Sequence, residues 1–243
     1  MAEAPNATRS LDHLGWTRDN QSMFARVSPR YDITNALISL GQDDAWRREA
    51  ARLAAPRPCR LAIDLATGTG DLGLCLLERC QGVVGVDLTP QMLLEAQRKV
   101  EARDVSERFR LVVADALRLP FADDVFDCAT NAFALRNFAN PLAALAEMRR
   151  VVRPGGRVVS LELTQARPHI LEAVHRLYRE SVVPLIGAAT SPGNLRAYWY
   201  LPTSVHRMPT ADDLAERMRG LGFRRVWYKL LNFRSIAIHV AEV

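Results

Sequence analysis

The feature that most constrains this chain is a short apolar run, Leu61 to Leu65, that carries Asp64 and runs into Gly68-Thr69-Gly70-Asp71-Leu72-Gly73. Five residues are too few for a buried helix, and the glycines stop the run. It therefore reads as a strand entering a tight turn. A helical pattern follows from Asp71 to Arg79, and the alternation continues. Val83 to Val86 is a second strand. Thr89 and Pro90 open a helix whose apolar stripe is Met92, Leu93, Ala96 and Val100. Phe109 to Val113 and Phe126 to Thr130 read as strands three and four. Asn140 and Pro141 start a helix through Val152, and Pro154-Gly155-Gly156 turn into a fifth strand, Arg157 to Leu163. Strands alternating with helices build a parallel sheet covered on both faces. Near the end, Thr210 with Asp213 opens a helix that stops at Gly222. Arg225 to Leu231 and Ile236 to Ala241 lie too close for a crossover, so they pair antiparallel. The expected class is α/β: a Rossmann-like, mostly parallel seven-stranded sheet with an antiparallel C-terminal strand.

A chain of 243 residues suits one domain over 1–243. Residues 1–55 read as an N-terminal helical lid, with Phe24, Val27 and Tyr31 at helical spacing and Trp46, Ala50 and Leu53 on one face of a second helix. Residues 56–165 form a cofactor-binding core. Residues 166–243 form a substrate-side segment and the C-terminal hairpin. The longest apolar candidate for a membrane span, Val182 to Ala189, is short and broken by Pro184 and Gly187. The first residues lack a secretory signature, so a cytoplasmic protein is expected. The formal charge of +5 is nearly all arginine, since Lys99 and Lys229 are the only lysines. These arginines are scattered and not interleaved with aromatics, which argues against nucleic acid. A mildly basic surface does suit an anionic membrane face. Cys59, Cys75, Cys80 and Cys128 form no CxxC pair and no histidine cluster accompanies them, so no metal site is expected. Cys59 and Cys128 read as small buried apolar residues, and a reducing compartment fits.

The glycine loop alone fits a dinucleotide fold as well. The acids around it separate the readings. Asp64 stands beside the loop, where a carboxylate suits an ammonium group and repels a pyrophosphate. Asp87 ends strand two and can accept hydrogen bonds from two ribose hydroxyls. Asp115 ends strand three, where an adenine amino group would lie. A single acid at a strand end is commonly a cap or turn residue. Three in succession fit S-adenosylmethionine, which carries a cationic amino-acid end and a sulfonium but no pyrophosphate. A short-chain dehydrogenase would also need a Tyr-x-x-x-Lys pair, and neither lysine has that tyrosine.

Further residues carry a resemblance. Met23-Phe24, Val27, Tyr31-Asp32, Asn35, Ser39, Gly41 and Trp46-Arg47 precede Asp64-Leu65-Ala66-Thr67-Gly68-Thr69-Gly70-Asp71-Leu72. Leu119-Pro120-Phe121, Phe133-Ala134-Leu135-Arg136-Asn137, Tyr198, Tyr200-Leu201-Pro202, Ser204 and Ile238-His239 follow. From Met23 to Val240 the chain resembles the ubiquinone/menaquinone biosynthesis C-methyltransferases, members of the class I methyltransferase superfamily. The Tyr31 to Asn35 region and Leu135-Arg136-Asn137 are its more specific parts. The resemblance implies the class I methyltransferase fold and transfer of a methyl group to a ring carbon of a polyprenylated hydroquinone. It implies cofactor contacts at Thr69, Asp87, Asp115 and Ala116, and Asp64, Gly68, Gly70, Leu88 and Ala132 complete the expected set. Thr67 and Ala134 stand where smaller residues are usual, Ala132 where some members place serine, and Phe233-Arg234 where the family hairpin is glycine-rich.

A ring carbon is a weak nucleophile until a neighbouring hydroxyl ionises. Arg136 is the candidate to stabilise that oxyanion, because arginine stays charged and is a poor proton acceptor. Water or a nearby carboxylate is then an easier base. Asn137 would orient the substrate oxygen. Tyr31 and Asn35, one helical turn apart, would close over the cofactor, with Tyr31 counted among the catalytic groups. Tyr200 and His206 are expected substrate contacts. His239 alternates with apolar neighbours and reads as structural. The expected partners are a lipophilic quinol and a peripheral contact at the inner face of the membrane, with a homodimer left open. Two other functions stay open: methylation of another small aromatic or polyketide, and a non-catalytic cofactor-binding subunit. A nucleic-acid methyltransferase is disfavoured, since Asn131-Ala132-Phe133 lacks the prolines of an Asn-Pro-Pro-aromatic loop.

Overall fold

The computed structural model describes residues 20–165 and 208–243, with Gly15, Arg18, Ser181, Val182 and Ile186. Its centre is a seven-stranded sheet ordered β3-β2-β1-β4-β5-β7-β6. The strands are β1 Cys59–Leu65, β2 Cys80–Asp87, β3 Phe109–Val113, β4 Phe126–Ala132, β5 Val152–Leu163, β6 Arg225–Leu231 and β7 Ile236–Glu242. β1 pairs parallel with β2 and β4, β2 with β3, and β4 with β5. β7 lies antiparallel to both β5 and β6. The chain steps outward from β1 to β3 and then returns to β4 on the other side. Sheets of this kind bind ligands at that reversal, outside the carboxyl ends of the strands. This is the expected class I methyltransferase topology.

The described residues include helices α1 Tyr31–Ser39, α2 Asp43–Ala54, α3 Asp71–Leu76, α4 Pro90–Ala102, α5 Pro141–Val151 and α6 Ala211–Gly220, a helical stretch over 20–27 ahead of them, and 3-10 turns at Ser28–Arg30 and Leu135–Asn137. Both faces of the sheet are covered. Ala62 packs with Ala50, Leu76 and Ile238 on one side, and its neighbour Ile63 with Leu145, Met148 and Met218 on the other. Successive residues of β1 thus enter opposite cores, so a buried parallel strand reads as continuously apolar. The α4 stripe of Met92, Leu93, Ala96 and Val100 is buried as its spacing predicts.

Some local expectations change. Asn140 and Thr210 do cap, accepting from the backbone N–H of Ala143 at 3.1 Å and Asp213 at 3.2 Å. Thr89 sits at the N-cap of α4 without capping it; its own N–H donates to Asp87 Oδ1 at 2.8 Å. α3 ends at Leu76 instead of reaching Arg79. Pro154-Gly155-Gly156 lies within β5 instead of forming a turn before it, beside a register irregularity between Phe126 and Cys128 of β4. A Cβ on Gly156 would sit 2.5 Å from the Asp127 carbonyl oxygen, so only glycine lets the strands approach there. The cysteine reading also needs correction. The register pairs Cys59 with Cys80, and the two form a disulfide, leaving Cys75 and Cys128 as buried free thiols. The Cys128 thiol, pushed up to about 12 by burial, is unreactive as a nucleophile. Among the described residues, no helix is long and apolar enough to cross a membrane. Tyr200, His206 and most of the 182–189 segment lie outside the described residues.

Candidate active site

An open cleft lies at the carboxyl ends of the parallel strands. Its floor is Ala66 and Gly68 after β1, Asp87 to Thr89 at the end of β2, Ala114 to Leu117 after β3, and Ala132 to Ala134 at the exit of β4. Asn20, Gln21, Phe24 and Tyr31 close it from the N-terminal side. Two non-glycine residues of this floor, Ala66 at φ 48° and Phe133 at φ 56°, hold left-handed backbone. Such conformations cost on the order of 1–3 kcal/mol and gather where a fold shapes a site. Gly68 also has positive φ, at 56°, but an added Cβ would meet nothing within 4 Å. Backbone conformation, more than space, calls for glycine there.

Asp87 is the best-defined polar group of the cleft. Its Oδ2 accepts from Gly68 N–H at 2.9 Å and its Oδ1 from Thr89 N–H at 2.8 Å. Burial raises its pKa while those two backbone donors oppose the rise. The Thr89 hydroxyl and the Leu88 backbone also bond this carboxylate, which lines the cleft. That geometry fits two adjacent ribose hydroxyls. Asp115 lines the next stretch and accepts from Leu117 N–H at 2.9 Å. Leu88, Ala116 and Ala132 line the cleft as well.

Asp64, Thr69 and Gly70 do not line it; they build the loop from behind. Asp64 is fully buried and accepts from the hydroxyls of Thr67 and Thr130, each at 2.7 Å. Burial pushes its pKa up to about 6, against those hydroxyls and the positive field of Arg47. Its carboxylate faces the threonines, so it shapes the glycine turn and does not stand open to an ammonium group. Thr67, where the family pattern favours a smaller residue, is what reaches Asp64. Gly70 takes the N-cap of α3 at φ 87°.

Thr69 belongs to a charged knot that sequence reading missed. Its hydroxyl donates to Asp32 of α1 at 2.6 Å. Lys99 of α4 lies 2.6 Å from Asp32, 2.5 Å from Asp71 and 3.1 Å from Thr69 Oγ1. The lid helix is thereby tied to the glycine loop. Two further ties come from the residues that precede α1: Gln21 donates to Leu88 O at 2.8 Å and Asn20 to Asn137 O at 3.1 Å. Nothing in the local pattern marked these residues, because their partners lie far along the chain.

The opposite wall of the cleft is Phe133 to Ala139. Asn137 lines it and donates to Phe133 O at 3.3 Å. Arg136 does not line it. Its Nη1 donates to Glu162 Oε1 at 2.5 Å and to Phe133 O at 2.6 Å, and both side chains of the ion pair are almost wholly buried. Tyr31 does line the cleft, and Asn35 bonds its hydroxyl. Burial raises the Tyr31 pKa, while Asn35 and the positive fields of Arg136 and Arg47 pull it down. Both guanidinium charges are therefore felt inside the cleft without contacting it. Arg47 pairs with Asp43 and stacks 5.8 Å from the centre of the Phe133 ring. His239 is remote from this wall. It contacts the Ala211 carbonyl at 2.9 Å, and burial lowers its pKa to about 4, so it stays neutral and structural.

The sequence matches the ubiE/COQ5 methyltransferase family over residues 15–242. A demethylmenaquinone methyltransferase of Thermus thermophilus is 47% identical over 222 residues, which covers 90% of this chain and 99% of that one. One of Deinococcus radiodurans is 48% identical over 224 residues, covering 91% of each. Among solved structures, an S-adenosylmethionine-dependent methyltransferase from Aquifex aeolicus superposes with a TM-score of 0.58 at 15% identity, over 86% of this chain and 96% of that one. That likeness bears on the fold, and the relatives bear on the chemistry. The chain belongs to the ubiE/COQ5 methyltransferase family and is an S-adenosylmethionine-dependent methyltransferase.

Proposed function

We propose that this enzyme methylates a ring carbon of a polyprenylated hydroquinone, a demethylmenaquinol or a methoxy-polyprenyl-benzoquinol. The observation that carries the reading is one cleft joining the Asp87 carboxylate to an aromatic wall backed by a buried arginine. The two relatives, both demethylmenaquinone methyltransferases, point to the same substrate class. S-adenosylmethionine supplies the methyl group as an electrophilic sulfonium. The protein's part is chiefly alignment, which is worth up to about 7–11 kcal/mol of barrier when the reacting atoms meet in line. Asp87 holds the ribose hydroxyls, and Asp115 and Leu117 border the adenine. Tyr31 and Asn137 face the remaining space and hold the ring oxygens. Arg136, behind Asn137, lends positive potential to a developing quinolate. The test is single-turnover methylation of a short-tailed demethylmenaquinol at saturating cofactor. Arg136→Lys keeps a charge but loses the planar fork that bonds Glu162 and the Phe133 carbonyl, so the wall it anchors shifts and the rate should drop about 10²-fold with cofactor affinity retained. A near-normal rate removes Arg136 from the chemistry. No methylation of any quinol by the wild type, with the cofactor bound, refutes the substrate class.

A lipid-tailed substrate also calls for reversible membrane contact at the inner face. Helix α1 exposes Ile33 and Leu37 at 62% and 48%, and Leu40, in left-handed backbone just past its end, is 73% exposed. Spacing of four residues puts Ile33 and Leu37 on a single helix face, and Leu40 extends the apolar surface beyond the helix end. Exposed apolar stripes on amphipathic helices bind the lipid interface. Flotation with anionic liposomes carrying quinol should lift the enzyme and should fail for Leu37→Glu with Leu40→Glu. Equal flotation of both places the contact elsewhere, and no flotation of either refutes it.

A further inference from the structure

Glu162 is a buried carboxylate in the apolar last stretch of β5, between Leu161 and Leu163, and neither the sequence pattern nor the cofactor site accounts for it. It is 1% exposed and stands at the carboxyl end of β5. The register Ala132↔Leu161 and the bond from Phe133 N–H to Leu161 O at 2.7 Å bring the exit of β4 alongside it. There the carboxylate takes hold of residue 136 twice. Oε2 accepts from the Arg136 backbone N–H at 3.3 Å, and Oε1 accepts from Arg136 Nη1 at 2.5 Å. Oε1 also accepts from Leu163 N–H at 2.9 Å.

We propose that Glu162 is a positioning residue for methyl transfer, fixing the Leu135–Asn137 turn and the Arg136 guanidinium behind the substrate wall of the cleft. The inference rests on the reading of Arg136 given above. Its geometry is specific. Gripping both the backbone and the side chain of one residue fixes the turn and the charge together. Neighbours of Arg136 on both sides, Ala134 and Asn137, line the cleft, so a shift of this turn moves the wall. A planar guanidinium held at one edge has its other donors aimed by the grip. One of them, Nε, is buried without a hydrogen-bond partner among the described residues. Base chemistry is a poor fit for Glu162, because both its oxygens already accept from this turn and from β5.

Glu162→Gln keeps the shape and removes the charge that orders the guanidinium. The expected result is a fall of about 10–100-fold in the single-turnover rate at saturating quinol, the scale of a lost preorganised contact. The KM for quinol and the calorimetric affinity for S-adenosylmethionine should hold within about threefold, since the interaction is made only as charge develops. Adding Glu162→Gln to Arg136→Lys should change the rate by less than about twofold, because the two residues act as one unit. A full rate in Glu162→Gln beside a slow Arg136→Lys overturns the positioning role and leaves the Arg136 reading standing. Additive losses in the double variant overturn it too, as does a faster Glu162→Gln, which would mean that Glu162 only damps the arginine's charge. A normal rate in Arg136→Lys overturns both readings. If Glu162→Gln does not fold, Glu162→Asp keeps the charge and shortens the reach. It should then lose rate without losing cofactor affinity, and an unchanged rate overturns the proposal.

Discussion

The Asp87 carboxylate, at the cleft floor, holds the backbone N–H groups of Gly68 and Thr89, and the proposed function has it meet the cofactor ribose as well. Asp87→Ala therefore removes a ligand acceptor and loosens the loop together. We expect S-adenosylmethionine affinity to fall by about 1–3 kcal/mol, measured by calorimetry on the folded variant. Unchanged affinity would take Asp87 out of the site. Asp64 makes a prediction of a different kind. With its pKa near 6 when folded and an ordinary one near 3.8 in the open chain, the native state holds a proton that the unfolded chain has lost. The stability it gives is full at low pH and is lost as pH rises through that interval. Urea denaturation should show the wild type losing on the order of 3 kcal/mol more than Asp64→Asn across it. His239 changes in the opposite sense: depressed to about 4, it withdraws stability as pH falls. It is common to both proteins and cancels in the comparison. Parallel curves would mean that Asp64 carries no such proton.

At the scale of elements, helix α3 is set against β3 by a glycine. A Cβ on Gly73 would meet Phe109 Cζ at 2.2 Å, and that ring is buried in the core. Gly73→Ala gains about 1 kcal/mol of helix propensity. Forcing the ring or the helix aside costs about 1–3 kcal/mol, so the clash should win or at best balance. A lowered urea midpoint with an unchanged slope is the expected outcome, and a raised midpoint contradicts it. The helix order, the span of β6 and the place of Asp87 were legible because they depend on local periodicity and on strand ends. Glu162 was not, because an acid in an apolar strand looks the same in sequence whether or not an arginine comes to meet it. Asp32 and Lys99 were opaque for a related reason. Their contact joins two helices far apart in the chain, and no periodicity tells which distant helix a charged side chain will face. Arg136 was read from the sequence as a group that meets the substrate oxyanion, and its burial behind the wall was not legible, because it depends on the β4–β5 register.

For the molecule as a whole, the Cys59–Cys80 bond closes a loop across β1, the glycine turn and α3. Sequence spacing gave no hint of it, since the pairing comes from two parallel strands meeting in register. Closing a loop of this length stabilises a fold by about 3 kcal/mol, mainly through the unfolded chain. Denaturation with reductant should therefore lose about that much, and an unchanged midpoint would mean that the bond is absent in solution. The same bond makes residues 59–80 a covalent ring, and Ala66 and Gly68, which touch the cleft, lie on its circumference. A protease cut anywhere on that ring opens it without dividing the protein. Intact-mass spectrometry of such a nicked enzyme should show one species heavier by a single water, which separates into two chains only when reductant is added.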